Sequence, residues 1–555
     1  MATSSRHVPV NVSNKSSIIR SAWNLRIGIV AMLIAVLAVH ASMFRKNFAY
    51  TPGDQSDAAG IAWFIERDYL WVTGAEHGSY WDSPMLYPQR DTATYSDTLL
   101  GGLPFYAPIR AAGADPQTAF QLWILIAGCL NYLSLYILLK KLLGYGEIAS
   151  NAGAFLFAFG SSRMMQEWHP QLVPECYVVL SLAGLIFLFR DEKRRPIWGA
   201  ALFFGGLLLQ IYTGVYWAFF LVFCVVLALV FALCRRDWRN PLLNRLREQA
   251  WPIGGAAVAS LVLVAPLMVH SVHTAQQVGT RSYEEVRYLL PGWTSWFQQM
   301  PGCLVYGRLY GFFDSHRNPS WWEDSNGLGF ATTAMICLGF WAGRRRPLVA
   351  LLGLVSVASV ILTLRLPSGW SLWAGVYSVF PGANGVRAIC RIAVFLTLPF
   401  AVAAATWIQG RAPRAGLLLA AILVLEQVGT LSSYEKRDYQ FLVDRTSETL
   451  RGQKCEAFLF SPSKREVWSP ALAHTVAMWT SLSTGIPTVN AWTSAYAPGW
   501  AFYDTRVSTT EDIARLRTAI AKWRDLHDGY PRSLCWIHPD LAHGSDDAVR
   551  TLVEH

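Results

Sequence analysis

Two aspartates stand three residues apart in Gly53-Asp54-Gln55-Ser56-Asp57, shortly after an apolar run. A carboxylate there can take a proton from a hydroxyl nucleophile, or it can cap a helix. If residues 57–71 continue as a helix, Asp54 and Asp57 share its N-terminal face. Capping accounts for Asp57 as well as chemistry does. It accounts less well for Asp54, which follows a glycine in a turn-like Thr-Pro-Gly. Asp97 follows in Tyr95-Ser96-Asp97, among Trp71, Tyr80-Trp81-Asp82 and Tyr87-Pro88. Such aromatics form membrane-interface belts first, and platforms for sugar rings second. Glu167, His169, Gln171 and Glu175 crowd one tight turn between apolar runs, and ionisable groups at a membrane boundary are functional candidates. His270 and His273 have a spacing that can ligate a metal, but no Cys close in sequence completes a set, so the metal reading is the minor one. Trp321-Trp322-Glu323-Asp324 lies directly before an apolar run. Arg387 and Arg391 lie one turn apart near another, either snorkelling or clamping a lipid phosphate.

Composition decides which elements hold these residues. Of 555 residues, 53% are apolar or aromatic and 15% are charged, against about 25% charged in a soluble domain. That excludes a soluble fold and a disordered chain, and nine Cys are too few for a disulfide scaffold. Eleven apolar runs, roughly 20 residues each, are candidate membrane helices: 25–44, 119–139, 147–164, 173–190, 197–212, 214–234, 252–270, 326–343, 347–364, 389–408 and 415–432. The runs at 147–164 and 197–212 are short. Alternate connections carry the Lys and Arg clusters, among them Lys140-Lys141, Arg190 with Lys193 to Arg195, Arg235 to Arg247, and Arg344 to Arg346. The positive-inside rule then predicts a cytoplasmic N-terminus and an external C-terminus. The net charge of +10 therefore reflects orientation, with no basic groove for nucleic acid.

The predicted organisation is a cytoplasmic tail (1–24), a transmembrane region (25–432) with outer loops 45–118 and 271–325, and an outer C-terminal domain (433–555). The fold class is thus an all-α polytopic membrane protein with a small α/β domain. In the last part, Cys455–Phe460 reads as a strand and Thr509–Leu526 as a helix. Cys455 and Cys535 alone share the tail, and an oxidising compartment favours a disulfide over two buried thiols. No Walker loop, His-Glu-x-x-His or Gly-x-Ser-x-Gly pattern occurs. The cytoplasmic loops are too short for a catalytic domain, so any chemistry belongs to the outer face.

The succession Gly53-Asp54, Tyr87-Pro88, Tyr95-Ser96-Asp97, Arg163…His169-Pro170-Gln171 and Pro381-Gly382…Arg387…Arg391 resembles bacterial integral-membrane glycosyltransferases of the GT-C superfamily, over residues 25–410. The tail is similar more loosely, through Ile486-Pro487-Thr488-Val489-Asn490 and Ala497-Pro498-Gly499-Trp500. There Ala491-Trp492-Thr493 replaces the family's aromatic-rich Gly-Tyr-Ser stretch. The resemblance implies an inverting transfer of a sugar from a polyprenyl-phosphate donor to a glycan, lipid or protein acceptor outside a bacterial inner membrane. Asp54 matches the motif's catalytic base, and Asp57 is an extra acid that the motif does not fix. Arg387 and Arg391 would stabilise the leaving phosphate, and His169 would hold that phosphate or the acceptor hydroxyl. Asp97, Gln171 and Glu323 complete the expected substrate-binding set; no metal ligand is assigned, and a divalent cation stays open as a cofactor. Two rival readings are a secondary transporter, for which Glu426 is the clearest acid inside a run, and a non-catalytic lipid-handling or envelope-assembly protein.

Overall fold

Every one of the eleven apolar runs falls on helix in the computed structural model, which describes residues 13–189, 196–309, 323–464, 468–527, 529–540 and 545–553. Five helical stretches have the length and composition to cross a bilayer: Pro116–Leu142, Pro170–Phe189, Val215–Cys234, Ala250–Val278 and Ile389–Gln409. Four shorter apolar helices accompany them, at Arg26–Val39, Pro196–Ile211, Phe330–Gly343 and Pro347–Thr363. The remaining two runs form Glu147–Phe159 and Pro413–Gln427. Gly160 ends the helix within the 147–164 run, while Pro347 and Pro413 each open a helix, standing in its first turn where a missing N–H costs nothing. Trp321, Trp322 and the basic cluster from Arg190 to Arg195 lie outside the described residues.

The Ile389–Gln409 stretch is the central pillar and is almost wholly enclosed. It packs against Phe330–Gly343 so closely that a Cβ on Gly339 would overlap the Ala403 carbonyl oxygen. By contrast, Ala250–Val278 turns Leu261, Val262 and Val269 outward, an apolar face suited to hydrocarbon. Glu426, buried among these helices, is not free to carry an ion. Its carboxylate accepts from the backbone N–H of Ala331 (2.9 Å) and Thr332 (2.7 Å), capping the Phe330–Gly343 helix from a neighbouring one. The transporter reading loses its clearest residue.

Two small sheets join distant parts of the chain. Strands β1 (Tyr50–Pro52) and β2 (Ser433–Glu435) pair antiparallel, Tyr50 opposite Glu435, so both ends of the 53–432 segment meet. Strand β3 (Ala457–Phe460) runs parallel to β4 (Ser533–Asp540), and β4 pairs antiparallel with β5 (Ser545–Val553). The predicted strand and helix of the tail are present, the helix as Thr510–Asp525 behind a Thr509/Asp512 capping box. Cys455 and Cys535 are bonded, with Cα atoms 5.6 Å apart, joining the chain two residues before β3 to β4.

A second apolar core lies apart from the one between the long helices. It is common to the first loop and the tail: Trp63, Ile65 and Tyr106 pack with Phe458, Val476, Trp523 and Trp536. This shared core sets the two strands of chemistry-bearing residues against each other.

Candidate active site

Gly53 makes the turn that delivers Asp54. Its φ of +97° is open to glycine, and an added Cβ would stand 2.8 Å from the Glu167 carbonyl oxygen. The helix that follows begins at Asp57, as its sequence pattern predicts, and runs to Val72. Asp54, ahead of the helix, does the capping: its Oδ1 accepts from the Ala58 N–H at 3.0 Å, and Ser56 Oγ donates to its Oδ2. The capping role expected chiefly of Asp57 therefore falls to Asp54, because the Asp57 carboxylate is taken by other partners. Asp57 Oδ2 lies 3.2 Å from His169 Nε2, and Asp57 Oδ1 accepts from Trp492 Nε1 at 2.6 Å.

His169 is held by a turn built from buried bonds. Arg163 and Glu175, both fully buried, pair across it, and Arg163 Nε donates to Phe157 O at 2.7 Å. Asn131 bonds the Val173 carbonyl at 2.7 Å and the Glu175 N–H at 2.9 Å. Of the four polar residues that crowd this turn, Glu175 is consumed by Arg163, and Glu167 lies 3.8 Å from buried His40. His169 alone reaches the paired acids.

Arg391 and Glu323 form the cationic side of the site. Arg391 Nη2 is 2.5 Å and Nε 3.1 Å from Glu323 Oε1, both side chains are buried, and the guanidinium sits 4.8 Å over the Tyr216 ring. Arg387 is not its twin. It stands on irregular backbone before the helix, half-exposed, 3.7 Å from Glu285. The two arginines do not share a helix face because 386–388 is irregular, with Val386 extended and the helical turn starting only at Ile389. Asp97 accepts from the Val215 N–H at 3.0 Å, at the positive end of the Val215–Cys234 helix. The Gln171 carbonyl abuts Gly214 beside it.

The electrostatics separate the two leading acids. Burial raises the Asp54 carboxyl above the usual range, against the hydrogen bonds from Ser56 and Ala58. Burial would raise Asp57 too, but the hydrogen bond and charge of His169, then Trp492 and Arg391, hold it low. Burial likewise works against Glu323, and the Arg391 charge outweighs it, drawing the group down to about 2. Burial raises Asp97 despite the Val215 N–H. The Arg391 charge thus acts on Asp57, Asp97 and Glu323, and His169 acts on Asp54, Asp57 and Glu323. Six of the eight residues singled out from sequence form one charge-coupled cluster; Gln171 and Arg387 border it.

His270 and His273 stand elsewhere. Both Nδ1 atoms bond the Asp91 carboxylate, and Trp81 stacks on His270 at 4.1 Å. Among the described residues, no group of three or more His, Cys, Asp or Glu could hold a metal ion. The residue that sequence reasoning missed is Trp492. Nothing in the local pattern around 492 points to an acid 435 positions away.

With this geometry in place, solved structures can be set beside it. An arabinofuranosyltransferase from Mycobacteria, AftD, superposes with a TM-score of 0.51 at 14% identity, over 95% of this chain and 36% of its own. The chain has a GT-C-like fold. It spans little more than a third of the length of that enzyme. An oligosaccharyltransferase from Archaeoglobus fulgidus gives 0.48 at 11% identity, over 84% of this chain and 64% of its own. ArnT from Cupriavidus metallidurans, bound to undecaprenyl phosphate, gives 0.37 at 11%, over 96% and 98%. No protein-family model matches the sequence, and no curated protein matches it significantly. What the GT-C-like helices bring to one place is a raised acid, a His–Asp pair and a buried Arg–Glu pair.

Proposed function

We propose that this chain is a membrane glycosyltransferase that moves a sugar from a polyprenyl-phosphate donor to an acceptor outside a bacterial inner membrane. The observation that carries the reading is the pairing of a raised carboxyl, Asp54, with a neighbouring acid, Asp57, that His169 keeps ionised. A general base works best when its pKa approaches the working pH, so Asp54 is the proton acceptor. The acceptor O–H gives its proton to Asp54 while its oxygen attacks the anomeric carbon from the face opposite the phosphate. The C–O bond to the phosphate breaks, its electron pair leaves with the lipid phosphate, and the anomeric configuration inverts. His169, Arg391 and the more loosely held Arg387 stabilise the departing charge; Asp97, Gln171 and Glu323 border the same space.

The proposal includes the topology: eleven spans, an internal N-terminus, outer loops 45–118 and 271–325, and an outer C-terminal domain from 433. The fold likeness to an arabinofuranosyltransferase makes a pentofuranose the first donor sugar to try. The test is a panel of radiolabelled polyprenyl-phosphate sugars, furanose and pyranose, incubated with the detergent-purified chain and bacterial envelope acceptors. Transfer that Asp54→Asn abolishes supports the reading. Sugar transfer unaffected by Asp54→Asn and Asp57→Asn would remove it, and binding of donor without transfer would favour the lipid-handling alternative.

A further inference from the structure

We propose that Trp492 is a positioning residue of this site: its indole N–H pins one oxygen of Asp57 so that the other orients His169. The inference rests on the glycosyl-transfer reading only for its kinetic test.

Among the described residues, each Asp57 oxygen faces one donor, and the donors come from different parts of the chain. Trp492 Nε1 reaches Oδ1 at 2.6 Å, and His169 Nε2 lies 3.2 Å from Oδ2. The Asp57 side chain is 39% exposed, so packing alone does not fix its rotamer. A ring nitrogen facing a carboxylate must carry its hydrogen, which leaves Nδ1 of a neutral His169 with the lone pair. The same logic orients histidines in metal sites and hydrolase triads, where a carboxylate selects the tautomer. Here the carboxylate is itself oriented, by an indole.

Trp492 is placed firmly enough for that task. Its backbone N–H meets Met478 Sδ at 3.2 Å, and its ring lies nearly parallel to His474. His474 is fully buried. Its Nε2 faces Tyr503 O at 3.4 Å and its Nδ1 faces the Ala491 N–H at 3.3 Å. The next residue, Thr493, donates to Tyr95 O at 2.8 Å. The Pro470–Thr484 helix beneath is tied to the Asp57 helix by two bonds, Trp479 Nε1 to Ala59 O (3.0 Å) and Trp63 Nε1 to Met478 O (2.6 Å), and to the turn before it by a third, Thr475 Oγ1 to Gln55 O (2.8 Å). These bonds fix the separation between the tail and Asp57. The other charged or titratable groups acting on or near Asp57 are Arg391, Asp54 and Tyr496.

The experiment compares the full-length wild type with Trp492→Phe and with benzothienylalanine incorporated at 492, which keeps the indole's shape but lacks its donor. Two readouts are taken. The first is kcat/KM against pH for whichever polyprenyl-phosphate sugar the wild type turns over. Asp54 sets the acid limb, so its midpoint should stay where it lies in the wild type. The kcat falls roughly tenfold to a hundredfold, with donor KM changed less than about twofold. The second needs no substrate: the rate at which diethylpyrocarbonate acylates His169 near neutral pH, read by peptide mass spectrometry. It should rise at least about threefold in both variants, as in Asp57→Ala, because Nε2 is released. Unchanged acylation and an unchanged kcat in the benzothienylalanine protein would overturn the inference even if Trp492→Phe misfolds. A wild type that transfers no sugar, with acylation still raised, would sink the transfer reading and leave the Trp492–Asp57 link standing.

Discussion

Arg391 and Glu323 close a buried ion pair across 68 residues of sequence, with Nη2 2.5 Å from Oε1 and the Cys390 thiol 3.5 Å from Oε2. Glu323→Gln leaves the guanidinium buried without its counter-charge, which should cost about 3–5 kcal/mol. Replacing both residues with Gln and Met should cost less, since no charge is then stranded. Thermal unfolding in detergent measures both. The pH dependence has a fixed sign: the folded pKa, about 2, lies below the ordinary 4.5. The pair's stabilisation is complete above about pH 4.5 and is lost as pH falls towards 2.

Asp54→Asn should keep the fold, because the amide oxygen still accepts from the Ala58 N–H. Turnover should drop by about 10²–10⁴-fold, the range for a lost general base. The wild-type rate should fall on acidification with a midpoint above the ordinary Asp range, since burial raises this carboxyl. A pH–rate profile checks the midpoint. A fully active Asp54→Asn with a dead Asp57→Asn would move the base to Asp57.

The Cys455–Cys535 bond closes a separation of 80 residues. In the chain-entropy account, such a loop stabilises the folded tail by about 4 kcal/mol. Cys535→Ser should therefore lower the apparent Tm, and dithiothreitol should lower it for the wild type but not for the variant. Equal Tm values with and without reductant would contradict this.

Gly53→Ala combines a positive φ with a Cβ 2.5 Å from the Ala58 Cβ. The strain should cost about 1–3 kcal/mol, and it falls one residue before Asp54. Turnover should drop by more than the loss of folded protein explains. Activity normalised to the folded fraction, measured by size-exclusion chromatography, is the deciding quantity.

Single cysteines introduced in 45–118 and in the tail should react with an impermeant thiol reagent in intact cells. Arg236→Cys should react only after lysis. The reverse pattern would invert the proposed topology.

Apolar run length and turn chemistry are local properties, and they were legible. The eleven runs lie on helices, the Asp57 helix begins where the acid pair suggests, and Thr509 with Asp512 starts the tail helix. The pairing of Cys455 with Cys535 could be argued because only two cysteines share the tail. The partners of charged groups were not legible in this way. Glu426 has no acceptor or donor pattern nearby that points to the start of the Phe330–Gly343 helix. Arg387 and Arg391 have helical spacing, yet irregular backbone at 386–388 sends one to Glu285 and the other to Glu323. Trp492 reaches Asp57 only because the first loop and the tail share one apolar core. Hydrophobic periodicity acts within a few turns of chain, whereas a hydrogen bond across 435 residues exists only once packing has fixed both ends within 3 Å.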